Sequence, residues 1–253
     1  MFSECHCHLR GPSEDIVRLT IEKVQKLEIE LVLDAGIDTA SSELAIQNAN
    51  RYSNVKACVG IHPWNADQYS QDILKKLRAL VSKAKVVAVS EIGLDYVGRR
   101  TQTGTYVNEY VEKSIQQTAF RGQLRLAKEL QLPVIVHDRT PTEEVLDILR
   151  EEGNAKTGAV IHGFSKDYAY AEKCIDMGIY LSIGLRPLAT TGNENLIEAI
   201  RQIPLTLLLT ETDTSNPEGV LTVAQKVAQL KNTTKEEVGR VTTENLRRLT
   251  RRP

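Results

Sequence analysis

The chain has 253 residues, 41% hydrophobic and 26% charged, which fits a folded globular protein with one large core and excludes fibrous or disordered classes. A formal net charge of −1 gives no argument for broad nucleic-acid attraction through a basic face, while a few Arg or Lys could still be placed around a site. There is no basic-then-apolar leader and no apolar run approaching about 18 residues, so the expected setting is cytoplasmic and away from membranes.

The first apolar run, Met1 to Cys7, reads as a strand. In an extended segment alternate side chains share a face, so Glu4, His6 and His8 lie on one side and Cys5 and Cys7 on the other. Two imidazoles on one face make either a metal-ligand pair or two hydrogen-bonded histidines near a terminus, and this stretch alone leaves both open. Cys5 and Cys7 are too close for an easy disulfide, and with Cys58 and Cys174 they form no C-x-x-C pattern, so reduced, packed thiols are expected.

After Ser13, the residues Val17, Ile21, Val24 and Leu27 recur at spacings of four and three and predict a helix with one buried stripe. Ile29 to Ala35 and Val55 to Ile61 are the next strands, and Ile73, Leu77, Leu80 and Val81 mark a further amphipathic helix. Lys85 to Ile92 is a fourth strand. From Val97 to Asn108 the chain is polar, with Gly98, Gly104 and the pair Arg99 and Arg100, which reads as a long loop at the edge of a site, with a disordered insertion as the alternative.

Pro133 to His137 resumes the strand pattern. Thr140-Pro141-Thr142-Glu143 reads as an N-cap, a proline at the first helical position and a capping-box carboxylate ahead of Val145, Ile148 and Leu149. Gly158 to Ile161 is a sixth strand, and Ser165 is expected to cap a helix running to Met177, with Gly178 as its left-handed stop. Gly178 to Ile183 and Leu205 to Thr210 complete the strands, and Thr233-Thr234-Lys235-Glu236 opens a last helix with Val238, Val241 and Leu249. Strands alternating with helices imply parallel βα units. The expected fold is therefore an α/β barrel of the (β/α)8 TIM type, regular or distorted, as a single domain over residues 1–253.

Polar, metal-capable side chains fall at the C-terminal ends of these strands: His6 and His8 at the first, His62 at the third, Glu91 at the fourth, His137 at the fifth, His162 at the sixth, Glu211 and Asp213 at the eighth. All five histidines of the chain are placed this way. In a parallel barrel those ends converge on the face that carries the chemistry. Any one histidine alone reads more readily as a satisfied polar group than as a ligand; the joint placement points to a metal-dependent site.

The motifs Glu4-Cys-His6-Cys-His8, Gly60-Ile-His62-Pro63-Trp64, Glu91-Ile-Gly93-Leu94-Asp95-Tyr96, Pro133-Val-Ile-Val-His137-Asp-Arg139, His162-Gly-Phe164-Ser165 and Glu211-Thr-Asp213 occur in this order. Gln117-x-x-Phe120-x-x-Gln123-Leu124 and Asn245-Leu-Arg247-Arg-Leu249 accompany them. Together they resemble the motif series of the TatD-type metal-dependent nucleases over essentially the whole chain. The resemblance implies a hydrolase with two divalent metal ions (Zn, Mn or Mg) that cleaves phosphodiester bonds of DNA, single-stranded or at 3′ ends. It also implies a ligand set: His6, His8 and Asp213 on one ion, His137 and His162 on the other, with Glu91 bridging. Histidine with carboxylate suits such ions, and the absence of cysteine on that face disfavours a closed structural zinc site.

On that resemblance Glu91 and Asp213 would be both ligands and candidate catalytic groups, Asp213 as the general base or else as a ligand only. His62, outside the ligand count, is assigned to a substrate phosphate or leaving oxygen, or else is a histidine held by the turn at Pro63. Arg139 and Arg186 follow strand ends and could each contact a phosphate by a forked hydrogen-bond pair. Glu211 is expected to orient a ligand or a water. Trp64 and Tyr96 could stack on a base, Trp64 with core packing as its alternative reading.

Two departures lie in the opening motif: Glu4 stands where the family commonly has Asp, and Arg10 where it has an acidic residue. Glu4 could still orient His6 or His8, and Arg10 adds a cation at the mouth of the site. After Asp213 the chain reads Thr214-Ser215-Asn216-Pro217 in place of a small residue, proline and an aromatic, so a pocket wall differs. The alternative functions are a hydrolase of a small amide, lactone or phosphoester, and a barrel serving as an interaction module.

Overall fold

The structure, a computed structural model, describes residues 1–11, 13–83, 85–98 and 110–251. Its strands are β1 (Phe2–Cys7), β2 (Ile29–Ala35), β3 (Val55–Val59), β4 (Val86–Asp95), β5 (Val134–Arg139), β6 (Ala159–His162), β7 (Tyr180–Gly184) and β8 (Leu208–Glu211). They form one sheet in sequence order, every neighbouring pair parallel. The ends of the sheet meet: the Thr210 hydroxyl donates to Ser3 O at 3.1 Å and the Asp213 amide to His6 O at 2.9 Å. This is the expected TIM-type barrel, with β8 brought back beside β1.

Helices follow the strands: α1 (Glu14–Lys26), α2 (Thr39–Arg51), α3 (Gln71–Val81), α4 (Lys113–Glu129), α5 (Glu144–Glu152), α6 (Tyr168–Asp176), α7 (Leu185–Ala189), α8 (Glu194–Gln202), α9 (Val220–Lys231) and α10 (Lys235–Leu249). The helical stripes read from the sequence face inward, with Ile21 and Val24 of α1 and Leu77 and Val81 of α3 buried. α10 opens in the expected stretch, with Thr234 as its cap accepting the Glu237 amide at 3.1 Å.

Two expected caps are not formed. The Thr140 hydroxyl donates instead to Asp138 Oδ1 and Thr142 O, and α5 starts later, after Glu143, with no side-chain cap. Asp167 rather than Ser165 caps α6, accepting the Tyr170 amide at 3.0 Å, while Gly178 does adopt the left-handed stop at φ 69°. Leu205–Leu207 is a 3-10 turn, so β8 begins at Leu208. Of the expected polar loop, residues 99–108, including Arg99 and Arg100, lie outside the described residues.

Strand register positions the site. Gly93 of β4 pairs with His137 of β5, and His137 with His162 of β6, so the last two side chains stand at one level. Gly93 has φ 143°, and a Cβ there would lie 2.0 Å from His137 O. The absence of a side chain at Gly93 is what lets β4 and β5 approach at the height of the site.

Candidate metal centre

The barrel's C-terminal face gathers His6, His8, His62, Glu91, His137, His162 and Asp213 into one cluster around Glu91. Glu91 Oε1 lies 2.8 Å from His137 Nδ1, 2.8 Å from His162 Nε2 and 3.2 Å from His62 Nε2. Its other oxygen, Oε2, lies 3.3 Å from His6 Nε2 and 3.7 Å from His8 Nε2. Asp213 Oδ1 closes this second group, 3.3 Å from His8 Nε2 and 3.9 Å from His6 Nε2. One carboxylate therefore presents each of its oxygens to a different set of imidazoles.

The local structure explains why these side chains point together. His6 stands near the end of β1, where the pairing with β2 shifts register between Glu4 and Cys7, so the strict alternation expected of this stretch does not hold and Cys5 and Cys7 pack in different parts of the core. Asp213 sits just past β8 at φ 52°, a left-handed conformation that aspartate tolerates better than most residues, held by the hydrogen bond from its backbone N–H to His6 O. His8 Nδ1 lies 2.8 Å from Ala35 O and so carries the proton, which turns the Nε2 lone pair toward Asp213 and Glu91. His162 Nδ1 faces Glu211 Oε1 at 3.3 Å, leaving Nε2 for Glu91. Glu211 Oε1 also accepts the Gly163 amide at 2.8 Å, so the predicted orienting group does meet a predicted ligand.

His62 differs from the others. Its Nδ1 accepts the Trp64 amide at 3.0 Å, so a neutral ring carries its proton on Nε2. Burial, with nearby His137 adding to it, pushes the ring down to about 4, so it is neutral near pH 7. Nε2 is then a donor toward Glu91 Oε1, and a protonated nitrogen has no lone pair for a metal. His62 has ligand-like spacing with Glu91 and His137, but this tautomer makes it a hydrogen-bond donor.

Burial favours a neutral carboxyl at Glu91 and Asp213, but the surrounding imidazoles outweigh it and hold both below the ordinary range. Lone pairs of His8 and His162 aimed at ionised carboxylates repel unless a cation, a ring proton or a metal ion, lies among them. Among the described residues, both ring nitrogens of His6 are buried without a hydrogen-bond partner. Donors bound at about 2.0–2.2 Å to one ion stand roughly 3–3.5 Å apart, and most of the spacings around Glu91 fall in or near that range. The groups His6, His8, Glu91 and His62, Glu91, His137 both have metal-ligating spacing. The donor set thus fits divalent cations.

The predicted cations frame a cleft of 350 Å³ lined by Arg10, Arg139 and Arg186 with Trp64, Asp213 and the histidines. Arg186 Nη1 stands 3.8 Å from Asp213 Oδ2 and is about half exposed. Arg10 Nη2 reaches Ala35 O at 3.5 Å. Glu4, fully buried, meets His6 through the backbone: its Oε1 accepts the amides of His6 and Thr212, each at 3.0 Å, and not the imidazole. Tyr96 stands further out, its ring 4.5 Å from Lys113 Nζ and its hydroxyl near Gln117.

One residue of the site received no role from the sequence. Asp95 Oδ2 lies 3.0 Å from His137 Nε2, 2.9 Å from Trp64 Nε1 and 3.4 Å from Arg139 Nη1. The signal was present: Asp95 lies four residues after Glu91, on the same face of a strand that runs three residues beyond its expected end at Ile92.

A family model described as TatD related DNase matches residues 4–251. YabD of Bacillus subtilis, named an uncharacterized metal-dependent hydrolase, is 33% identical, with 99% of each chain covered. The human deoxyribonuclease TATDN3 is 29% identical over 97% of this chain and 93% of its own. Among solved structures, that of YJJV, a TatD homolog from Escherichia coli K12, is similar with a TM-score of 0.85 and 26% identity, covering 100% of this chain and 98% of that one. The barrel, its ring of histidines about one glutamate, and a match from Glu4 almost to the last residue agree: this chain belongs to the TatD related DNase family of metal-dependent hydrolases.

Proposed function

We propose that this protein is a metal-dependent deoxyribonuclease that hydrolyses phosphodiester bonds of DNA from a 3′ end, using two divalent cations, in the cytoplasm. The observation that carries the reading is the division of labour at Glu91, whose two oxygens face two separate donor sets. His6, His8 and Asp213 would hold one ion with Glu91 Oε2, and His137 and His162 the other with Glu91 Oε1. Zn, Mn and Mg all suit this mixture of imidazole and carboxylate. When bound, the ions would supply Lewis acidity toward an attacking water and the phosphoryl oxygens.

The chain's own groups do the rest. Asp213, ionised and partly open to the cleft, takes a proton from the attacking water through a carboxylate oxygen. His62, whose Nε2–H faces Glu91 Oε1, would turn that donor to a phosphoryl or leaving oxygen once Glu91 holds an ion. Arg10, Arg139 and Arg186 bring positive charge to the cleft wall in a chain with no net basic character, which binds one scissile phosphate and not a broad DNA face. Glu211 keeps the His162 ring turned so that Nε2 faces the site. Trp64, at the cleft wall, offers a ring for a terminal base.

End-labelled single-stranded DNA with Mn²⁺, Mg²⁺ or Zn²⁺ tests the reading. Progressive shortening from the 3′ end is expected, abolished in His137→Ala. Intact DNA with cleavage of an ester, amide or lactone panel would replace it with a small-molecule hydrolase.

A further inference from the structure

Asp95 closes β4 with a side chain wholly removed from solvent. Its backbone is pinned from both sides by Gln116, whose Oε1 accepts the Asp95 amide at 2.8 Å and whose Nε2 donates to Asp95 O at 2.9 Å. Oδ1 accepts the amides of Val97 and Gly98, each at 3.0 Å. Oδ2 faces His137 Nε2, Trp64 Nε1 and Arg139 Nη1. A buried carboxylate is costly unless its partners need a charge. The two amides and the indole do not; the imidazole and the guanidinium do.

We propose that Asp95 is a positioning residue that fixes the tautomer of His137 and, through the same oxygen, aligns Trp64 and Arg139 with it. Accepting Nε2–H from His137 leaves the Nδ1 lone pair directed at Glu91 Oε1, 2.8 Å away, where a metal ion would be held. The indole that would stack on a base and the guanidinium that would meet a phosphate are referenced to one carboxylate oxygen, so substrate and ligand geometry are set together. This rests on the reading that His137 is a metal ligand.

The carboxylate cannot be replaced by its amide. If the Oδ1 of an Asp95→Asn side chain accepts from the Val97 and Gly98 amides, its Nδ2 faces His137 Nε2 and needs an acceptor there. The imidazole proton then moves to Nδ1, against Glu91, and blocks ligation, as happens when a catalytic histidine loses its orienting carboxylate. Turned the other way, the Nδ2 group meets two donor amides. Either arrangement weakens the site.

Titration of the metal-free protein with Zn²⁺ by calorimetry, with ions per chain counted separately, gives the test. Asp95→Asn is expected to weaken binding of one ion by about 10–100-fold. Trp64→Phe is expected to leave ion affinity unchanged and to raise KM for DNA, and His137→Ala to lose one ion. Wild-type ion affinity in Asp95→Asn, with one ion lost in His137→Ala, overturns the proposal. Two ions retained in His137→Ala would instead overturn the ligand reading beneath it. Should Asp95→Asn fail to fold, long-range imidazole ¹H–¹⁵N spectra of the metal-free wild type near pH 9 decide: a proton on His137 Nε2 supports the role, and one on Nδ1 alone refutes it.

Discussion

Replacing Gly93 with alanine should damage stability and activity together, because one backbone contact controls both. At φ 143° an alanine is held in a region that L residues rarely adopt, and its Cβ would lie 2.0 Å from His137 O, 2.9 Å from His137 C and 3.0 Å from His137 N. The backbone conformation costs of order 1–3 kcal/mol, and relieving the overlap adds roughly 1–3 kcal/mol. Loss of glycine's freedom in the unfolded chain returns about 0.4–1 kcal/mol. The net destabilisation is about 1–6 kcal/mol, or roughly 2–22 °C in Tm for a chain of this size. Because the clashing atoms are backbone, β5 must shift by about 1 Å at His137, a displacement that costs on the order of 100-fold in rate. Gly178→Ala is the control: φ is 69°, but nothing lies within 4 Å of the added Cβ, so only a conformational cost of roughly 1–2 kcal/mol is expected, with activity per folded molecule unchanged. Thermal unfolding and DNA hydrolysis on both variants check this. A Gly93→Ala protein with Tm within 2 °C of wild type, on the order of the smallest resolvable shift, and unaltered turnover would refute the reasoning.

Three further outcomes follow from the same contacts. His62→Gln should keep the wild-type number of bound ions and lose kcat by on the order of 10²-fold, as for one lost oxyanion donor; loss of an ion would show that His62 is a ligand after all. Arg186→Ala should raise KM for DNA with little change in kcat and reduce the slope of log KM against log salt by about one, as expected for one phosphate contact; an unchanged slope would remove Arg186 from the substrate site. Burial pushes Asp34 up to about 6 despite its bonds from Asn48 and the Leu9 amide. Its folded pKa then exceeds the unfolded value of about 3.9, so the folded state keeps the proton longer and stability falls as pH rises from about 4 to 6, by up to ~3 kcal/mol. Denaturant unfolding of wild type and Asp34→Asn across that range should show the wild type losing stability relative to the variant by that amount as pH rises, and parallel curves would exclude it.

The barrel was legible because its signal is local and repeated. Eight short apolar runs and the stripes in α1 and α3 follow from which faces must leave water, and no distant residue is needed to see them. The gathering of His6, His8, Glu91, His137, His162 and Asp213 was legible for a related reason: all stand at strand ends, and parallel strands must bring those ends to one face. Helix starts were less secure. Thr140 and Ser165 had acceptable capping chemistry in their own segments, but the Thr140 hydroxyl found Asp138, and Asp167 stood in the better place for the Tyr170 amide.

What the chain by itself determined is the inventory of donors and the face they share, since strand ends and their spacing are properties of a few consecutive residues. Only the tertiary structure decided which nitrogen of each imidazole faces the centre, because the proton goes where a second partner accepts it, and those partners are remote: Ala35 for His8, Glu211 for His162, Asp95 for His137. The same holds for Glu91. Its position was readable in one motif, but that its two oxygens serve separate donor sets depends on distances set by four other strands closing around it.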